Sequence, residues 1–135
     1  MNMNRRLFAA VVSFSLALGV SAIAHADDAE VSLVGSQFTD KIESSKPVGD
    51  ADAAAHAKVV TYYVEIANKK APTDVILVWK RDGKEVVRQH LDVGISPRWR
   101  TWGMCPTAGA KEMEIEVLDA SGHVLKTDTL ALSNS

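Results

Sequence analysis

Between Glu112 and Val117 the chain alternates without a break, setting Met113, Ile115 and Val117 against Glu112, Glu114 and Glu116. Successive side chains of a strand point to opposite faces, so this pattern demands a strand with one face in a core and the other in water. Such a strand cannot stand alone. Its apolar row has to be covered by other elements, and the rest of the chain supplies more strands.

Lys58–Ala67 is rich in β-branched and aromatic residues, with Val60, Tyr62, Val64 and Ile66 on one face. Val75–Lys80 is nearly all apolar, which suits a central strand buried on both sides. Asp82-Gly83 then separates two Val-bearing runs, a hairpin signal because the turn needs positive φ and Gly accepts it. Lys84–Val93 is the returning strand, Ile95–Met104 the next, and Val124–Leu132 the last, after a turn at Asp119-Ala120-Ser121-Gly122. Val31–Ser44 opens the series with Val31, Leu33, Phe38 and Ile42 as inward anchors. Lys46–Ala57, with Pro47, Gly49, two Asp and five Ala, reads as a connection holding one helical turn at most. About seven strands with turns every 8–12 residues predict an all-β fold, an immunoglobulin-like antiparallel β-sandwich. A small barrel closed by sequential hairpins is the second arrangement.

The N-terminus has another character. Met1–Arg6 is a short basic head, Leu7–Ile23 carries no charge, and Ala24-His25-Ala26 offers a small-x-small cleavage pattern before Asp27-Asp28-Ala29-Glu30. That layout is a bacterial-type secretory signal peptide over residues 1–26, with residues 27–135 as one β-sandwich domain. The 17 apolar or small residues approach a spanning length, so an uncleaved anchor is the competing reading. Arg5-Arg6-Leu7-Phe8 resembles the core of a twin-arginine signal, although paired Arg residues are ordinary in a standard head. The expected location is the periplasm or the outside of a bacterial cell.

Cleavage after Ala26 leaves 109 of 135 residues, enough for one domain. The leader carries two of the 15 basic residues and none of the 17 acidic ones, so the mature net charge is −4 with His neutral. Mild acidity argues against nonspecific binding to nucleic acid or to an anionic membrane. Cys105 is the one cysteine, so no intrachain disulfide can form.

Several pieces of the mature chain have a common resemblance. They are Ser45-Lys46-Pro47-Val48-Gly49, Val60–Asn68, Val78-Trp79-Lys80-Arg81-Asp82-Gly83-Lys84-Glu85-Val86, Arg98-Trp99-Arg100-Thr101-Trp102 and Glu116–Leu125. In this order they resemble a bacterial family catalogued as domain of unknown function 2914, the Trp-x-x-Asp-Gly hairpin and the Arg-Trp-Arg-Thr-Trp segment being the specific parts. The resemblance implies a small extracytoplasmic β domain with no assigned reaction. Two departures stand out. Gly103-Met104-Cys105-Pro106 replaces a Ser-Ser-Lys-like stretch, and no Trp follows Gly109.

Arg98–Trp102 is the leading candidate site. On a strand Arg98, Arg100 and Trp102 share one face while Trp99 and Thr101 share the other. Two guanidiniums beside indole rings can hold an anionic or sugar ligand by forked hydrogen bonds and stacking. The structural reading of the same residues puts one Trp in the core and rests the Arg stems on the other ring, facing the acidic strand. Trp79 is expected as a core or edge neighbour. Met104 and Cys105, with Met113 and one of His56, His90 or His123, carry the soft ligands of a Cu(I) site, though no His lies within three residues of Cys105. The row Glu112, Glu114, Glu116 reads as solvated charge, and Asp50 and Asp52 lack calcium-loop spacing. The chain is therefore expected to be an exported, non-catalytic binding or accessory domain without a cofactor. Its expected partner is an envelope protein or a cell-wall or carbohydrate component, with periplasmic copper binding at Met104 and Cys105 as the alternative. Nucleic acid and stable membrane insertion after cleavage are not expected.

Overall fold

The computed structural model of the protein describes residues Val31–Ser133; the leader expected at residues 1–26 lies outside them. Among the described residues, nine strands and one short helix follow each other in the order β1 (Val31–Thr39), β2 (Ile42–Glu43), β3 (Lys46–Pro47), α1 (Ala51–Ala55), β4 (Val59–Asn68), β5 (Thr73–Arg81), β6 (Lys84–Val93), β7 (Ser96–Pro106), β8 (Glu112–Asp119) and β9 (Val124–Ala131). Seven of the strands form two antiparallel sheets, β1-β4-β7 and β6-β5-β8-β9, while β2 and β3 make a separate small hairpin. This is the expected antiparallel β-sandwich. The two-sheet order matches the seven-stranded immunoglobulin arrangement except in the fourth strand of the sandwich, β6, which joins the sheet of the third.

The alternation seen in the sequence fixes which residues meet between the sheets. Val60, Tyr62, Val64 and Ile66 of β4 are fully buried, and so are Met113, Ile115 and Val117 of β8. β5 is the central strand between β6 and β8, and it contributes Val75, Leu77 and Trp79 to the same core. Val78, on its outer side, is also covered, since it lies in register between Arg88 and Glu116, whose stems flank it. Of the opening anchors, Val31 and Phe38 reach the core and Leu33 packs against it. Ile42 does not; it sits half-buried in the small hairpin, because the chain leaves the sheet after Thr39.

Asp82 and Gly83 adopt φ of 49° and 86°, as a two-residue hairpin with two positive φ values requires. The Asp82 carboxylate also accepts hydrogen bonds from the backbone N–H groups of Lys111 and Glu112, both at 3.0 Å, so this turn is tied to the start of β8. The helical turn expected in the connection is α1, capped by the Asp50 carboxylate accepting from Ala53 N–H at 3.0 Å. Its Ala54 is fully buried, and α1 closes one end of the sandwich against β1, β4 and β9.

Side-chain hydrogen bonds join the sheets, among them that of Arg81 on β5 to the Pro106 carbonyl on β7. The Tyr62 hydroxyl on β4 donates to Asp128 on β9 at 3.1 Å, its ring lying edge-on to Phe38 with centroids 4.8 Å apart. On the other side, the Trp79 indole N–H donates to the Gln89 side-chain oxygen at 2.9 Å, and the Gln89 amide donates to the Met104 carbonyl of β7 at 2.8 Å. Gly103 makes room for this Gln89 link. A Cβ there would lie 2.7 Å from Leu77 Cδ1 and would collide with the Gln89 side chain.

Candidate functional site

β7 is one of the two edge strands of the three-stranded sheet, and its residues alternate as the spacing predicted. Thr101, Gly103 and Cys105 turn inward, and Trp99 packs against the margin of the core. Arg98, Arg100, Trp102 and Met104 come out on the opposite face. The core tryptophan is Trp79, on the central strand β5. No tryptophan of the Arg98–Trp102 segment fills that position, because an edge strand places its side chains over the rim of the core.

Register with β4 sets what the outward residues touch. Arg100 stands opposite Glu65, Trp102 opposite Tyr63 and Met104 opposite Thr61. The Tyr63 hydroxyl donates to Glu65 Oε2 at 2.8 Å, and Arg98 Nε lies 3.0 Å from Glu65 Oε1. Glu65 thus spends both carboxylate oxygens on Tyr63 and Arg98. Arg100, although directly across the ladder from Glu65, makes no ion pair with it among the described residues, and its buried Nε has no hydrogen-bond partner. Burial pushes the Tyr63 phenol up to about 12, helped by the Glu65 hydrogen bond and charge and opposed by Arg100. The outer face of the three-stranded sheet therefore holds two guanidiniums, one carboxylate, a neutral phenol, a half-exposed indole and an exposed thioether, Met104 being 53% exposed.

Glu112, Glu114 and Glu116 share one face of β8 as the alternation predicted, but Glu114 and Glu116 are half-buried and paired rather than freely solvated. The acidic row of β8 lies on the outer face of the other sheet, where Lys80 Nζ sits 3.7 Å from Glu114 and 3.6 Å from Glu116. The Arg stems of β7 do not reach that row; their acidic neighbour is Glu65. Neither Tyr63 nor Glu65 stands out in the sequence as a site residue. The one available signal was their position out of phase with the core row Val60, Tyr62, Val64 and Ile66, which puts them on the outer face without saying which strand lies beside them.

Met104 and Cys105 are adjacent in sequence, so on β7 they project to opposite faces, one exposed and the other 1% exposed. Met113 is in the core, His90 lies 3.0 Å from Asp74, His56 caps α1 and His123 is held by Asp119 at 2.8 Å. The fold does not bring this set together. Among the described residues, no group of three or more His, Cys, Asp or Glu side chains is arranged to hold a metal ion. Burial raises the Cys105 thiol above its ordinary value, against the pull of the Arg81 guanidinium 3.8 Å away. Arg81 is anchored by donating to the Pro106 carbonyl at 2.9 Å.

At the end of the sandwich remote from α1, Trp99 takes part in a second feature. Its ring lies against Gly94, where a Cβ would approach Trp99 Cζ3 to 2.7 Å. The ring lines an open groove of about 380 Å³ together with Pro72, Thr73, Asp74, Asp92, Val93 and Gly94. The four expected site residues are thus divided: Arg98, Arg100 and Trp102 on the outer face, Trp99 beneath the β6–β7 turn.

Fold and site together define an antiparallel β-sandwich with an Arg- and aromatic-bearing face on an edge strand. A comparison with known protein families and with curated proteins finds no match to this chain.

Proposed function

We propose that this protein is an exported, non-catalytic binding or accessory domain of the bacterial envelope. Its partner, an envelope protein or a cell-wall or carbohydrate component, docks on the outer face of the β1-β4-β7 sheet. The observation that carries this reading is the incomplete pairing on that face, where one carboxylate serves Arg98 and leaves Arg100 Nε without an acceptor. A buried N–H left unbonded costs stability, so turning the Arg100 side chain out toward a ligand's acceptor gives up less than it would for a fully bonded guanidinium.

Composition favours the same face. Arg, Trp, Tyr and Met are the residues enriched where proteins meet partners, and here they stand side by side. β7 is also an edge, open to a partner's strand. The basic head, apolar run and Ala-x-Ala exit of residues 1–26 support export to the periplasm or beyond. The resemblance to domain family 2914 agrees with an extracytoplasmic β domain of this kind.

The test is capture of envelope extract and of isolated cell-wall material by the wild type, by an Arg98→Ala, Arg100→Ala double variant and by Trp102→Ala. Each variant is checked for a β-type circular dichroism spectrum. Wild-type capture that vanishes in folded variants is expected. Capture that survives both changes would place the docking surface elsewhere.

A further inference from the structure

The groove beside Trp99 lies apart from the Arg-bearing face and carries charge of the opposite sign. Asp74 and Asp92 are direct cross-strand partners at the start of β5 and the end of β6, and both line the groove. Like charges facing each other across a ladder repel, so folded proteins place them this way at a cost unless something positive lies nearby. Asp74 has the exposed His90 ring at 3.0 Å. Asp92 has no hydrogen bond or ion pair among the described residues. Lys69 and Lys70, in the adjoining β4–β5 loop, pair with neither acid.

The third wall is aromatic. Trp99 is held by its close approach to Gly94 and by packing against the core margin. The rim is fixed as well. Buried Asn68 donates to the carbonyls of Ala71 at 2.8 Å and Gly94 at 3.1 Å, and accepts from Lys70 N–H at 3.2 Å. This clamps the β4–β5 loop to the β6–β7 turn, so the groove exists before any ligand arrives. Its volume lies within the range of small-ligand sites.

We propose that this groove binds an alkylammonium group, with Asp92 and Asp74 supplying the negative charge and Trp99 the apolar and aromatic wall for its carbon chain. A cation relieves the repulsion between the two carboxylates and gains attraction from the indole ring. An anion is excluded by the same charges. A neutral sugar has the Trp wall to stack on but draws nothing from the paired acids.

The ammonium group can be free or borne by a peptide lysine, and three probes separate these cases. N-acetyl-lysine N-methylamide, its neutral counterpart N-acetyl-norleucine N-methylamide and n-butylammonium chloride are titrated into the full chain, reading the Trp99 indole N–H in ¹H–¹⁵N spectra. The cations are expected to move that signal saturably while the norleucine compound does not. A response to both cations identifies a free amine as sufficient, and a response to the lysine compound alone identifies a peptide-borne one. Asp92→Asn, exposed and without a partner, keeps the fold and should weaken cation binding at least about threefold. Equal response to lysine and norleucine compounds, no response to either cation, or unchanged affinity in Asp92→Asn would each overturn the proposal. Arg100→Ala, on the other face, should leave this titration unchanged, so its outcome is independent of the envelope-capture test.

Discussion

Trp79 and Arg100 stand on facing sheets, and the fold treats their polar atoms in opposite ways. The Trp79 N–H is fully enclosed and is answered by Gln89, which in turn is answered by the Met104 carbonyl. The Arg100 Nε is also shielded from water, yet nothing in the fold answers it. Inside the sandwich, then, the polar groups of Trp79, Gln89, Tyr62 and Asp128 are matched and join the sheets. On the outer face of the three-stranded sheet the match is left one acceptor short. The difference separates a region whose polar groups answer one another within the chain from one that carries an unanswered N–H.

The largest effect that would break this contrast is at Trp79. Trp79→Ala should cost about 3–5 kcal/mol, read as a lower urea midpoint, because it opens a cavity at the centre of β5 and frees Gln89. A loss under about 1 kcal/mol would mean that the core does not depend on this ring. Gly103→Ala comes next, at about 1–3 kcal/mol, since the added methyl displaces Leu77 and the Gln89 link together. An unchanged midpoint would show that the link is dispensable.

Asp119 tests whether a polar turn near the groove end belongs with the matched interior. Burial raises its carboxyl, but hydrogen bonds from the His123 ring, the His123 N–H and the Ser121 N–H outweigh this and hold it below the usual carboxylate range. A depressed folded value means that the stabilisation is present above the unfolded carboxylate's range and is lost as pH falls through the folded one. Asp119→Asn should therefore cost about 1–2 kcal/mol at pH 7, and the gap from wild type should close on acidification. A gap that stays constant with pH would remove the charge from the explanation.

The smallest stability effect should be at Arg100. Arg100→Met keeps the stem and removes the unanswered N–H, so thermal stability should stay within about 0.5 kcal/mol while partner capture is lost. A cost of 2 kcal/mol or more would make Arg100 a structural residue and erase the contrast.

Strand positions and facing were legible in the chain because alternation is local. Lys84–Val93 was placed to the residue, and the buried rows of β4 and β8 followed from every second side chain. The Asp82-Gly83 turn was legible for the same kind of reason, since positive φ is a property of the two residues in it. Arg98, Arg100 and Trp102 could likewise be assigned a common face. Their neighbours could not. Glu65 lies 33 positions before Arg98 in the chain, and what brings them within an ion pair is the pairing of β4 with β7 across the intervening hairpin.

The same division holds for the three tryptophans. Their period placed each on one side or other of a strand, but core, rim and surface were assigned by strand order: Trp79 on a central strand, Trp99 and Trp102 on an edge. Alternation along a strand is set by backbone geometry over a few residues, which any segment carries with it. Which strands become neighbours, and where two aspartates and an indole border one groove, is set by loop closure and by burial of the whole core, and that exists only once the two sheets have come together.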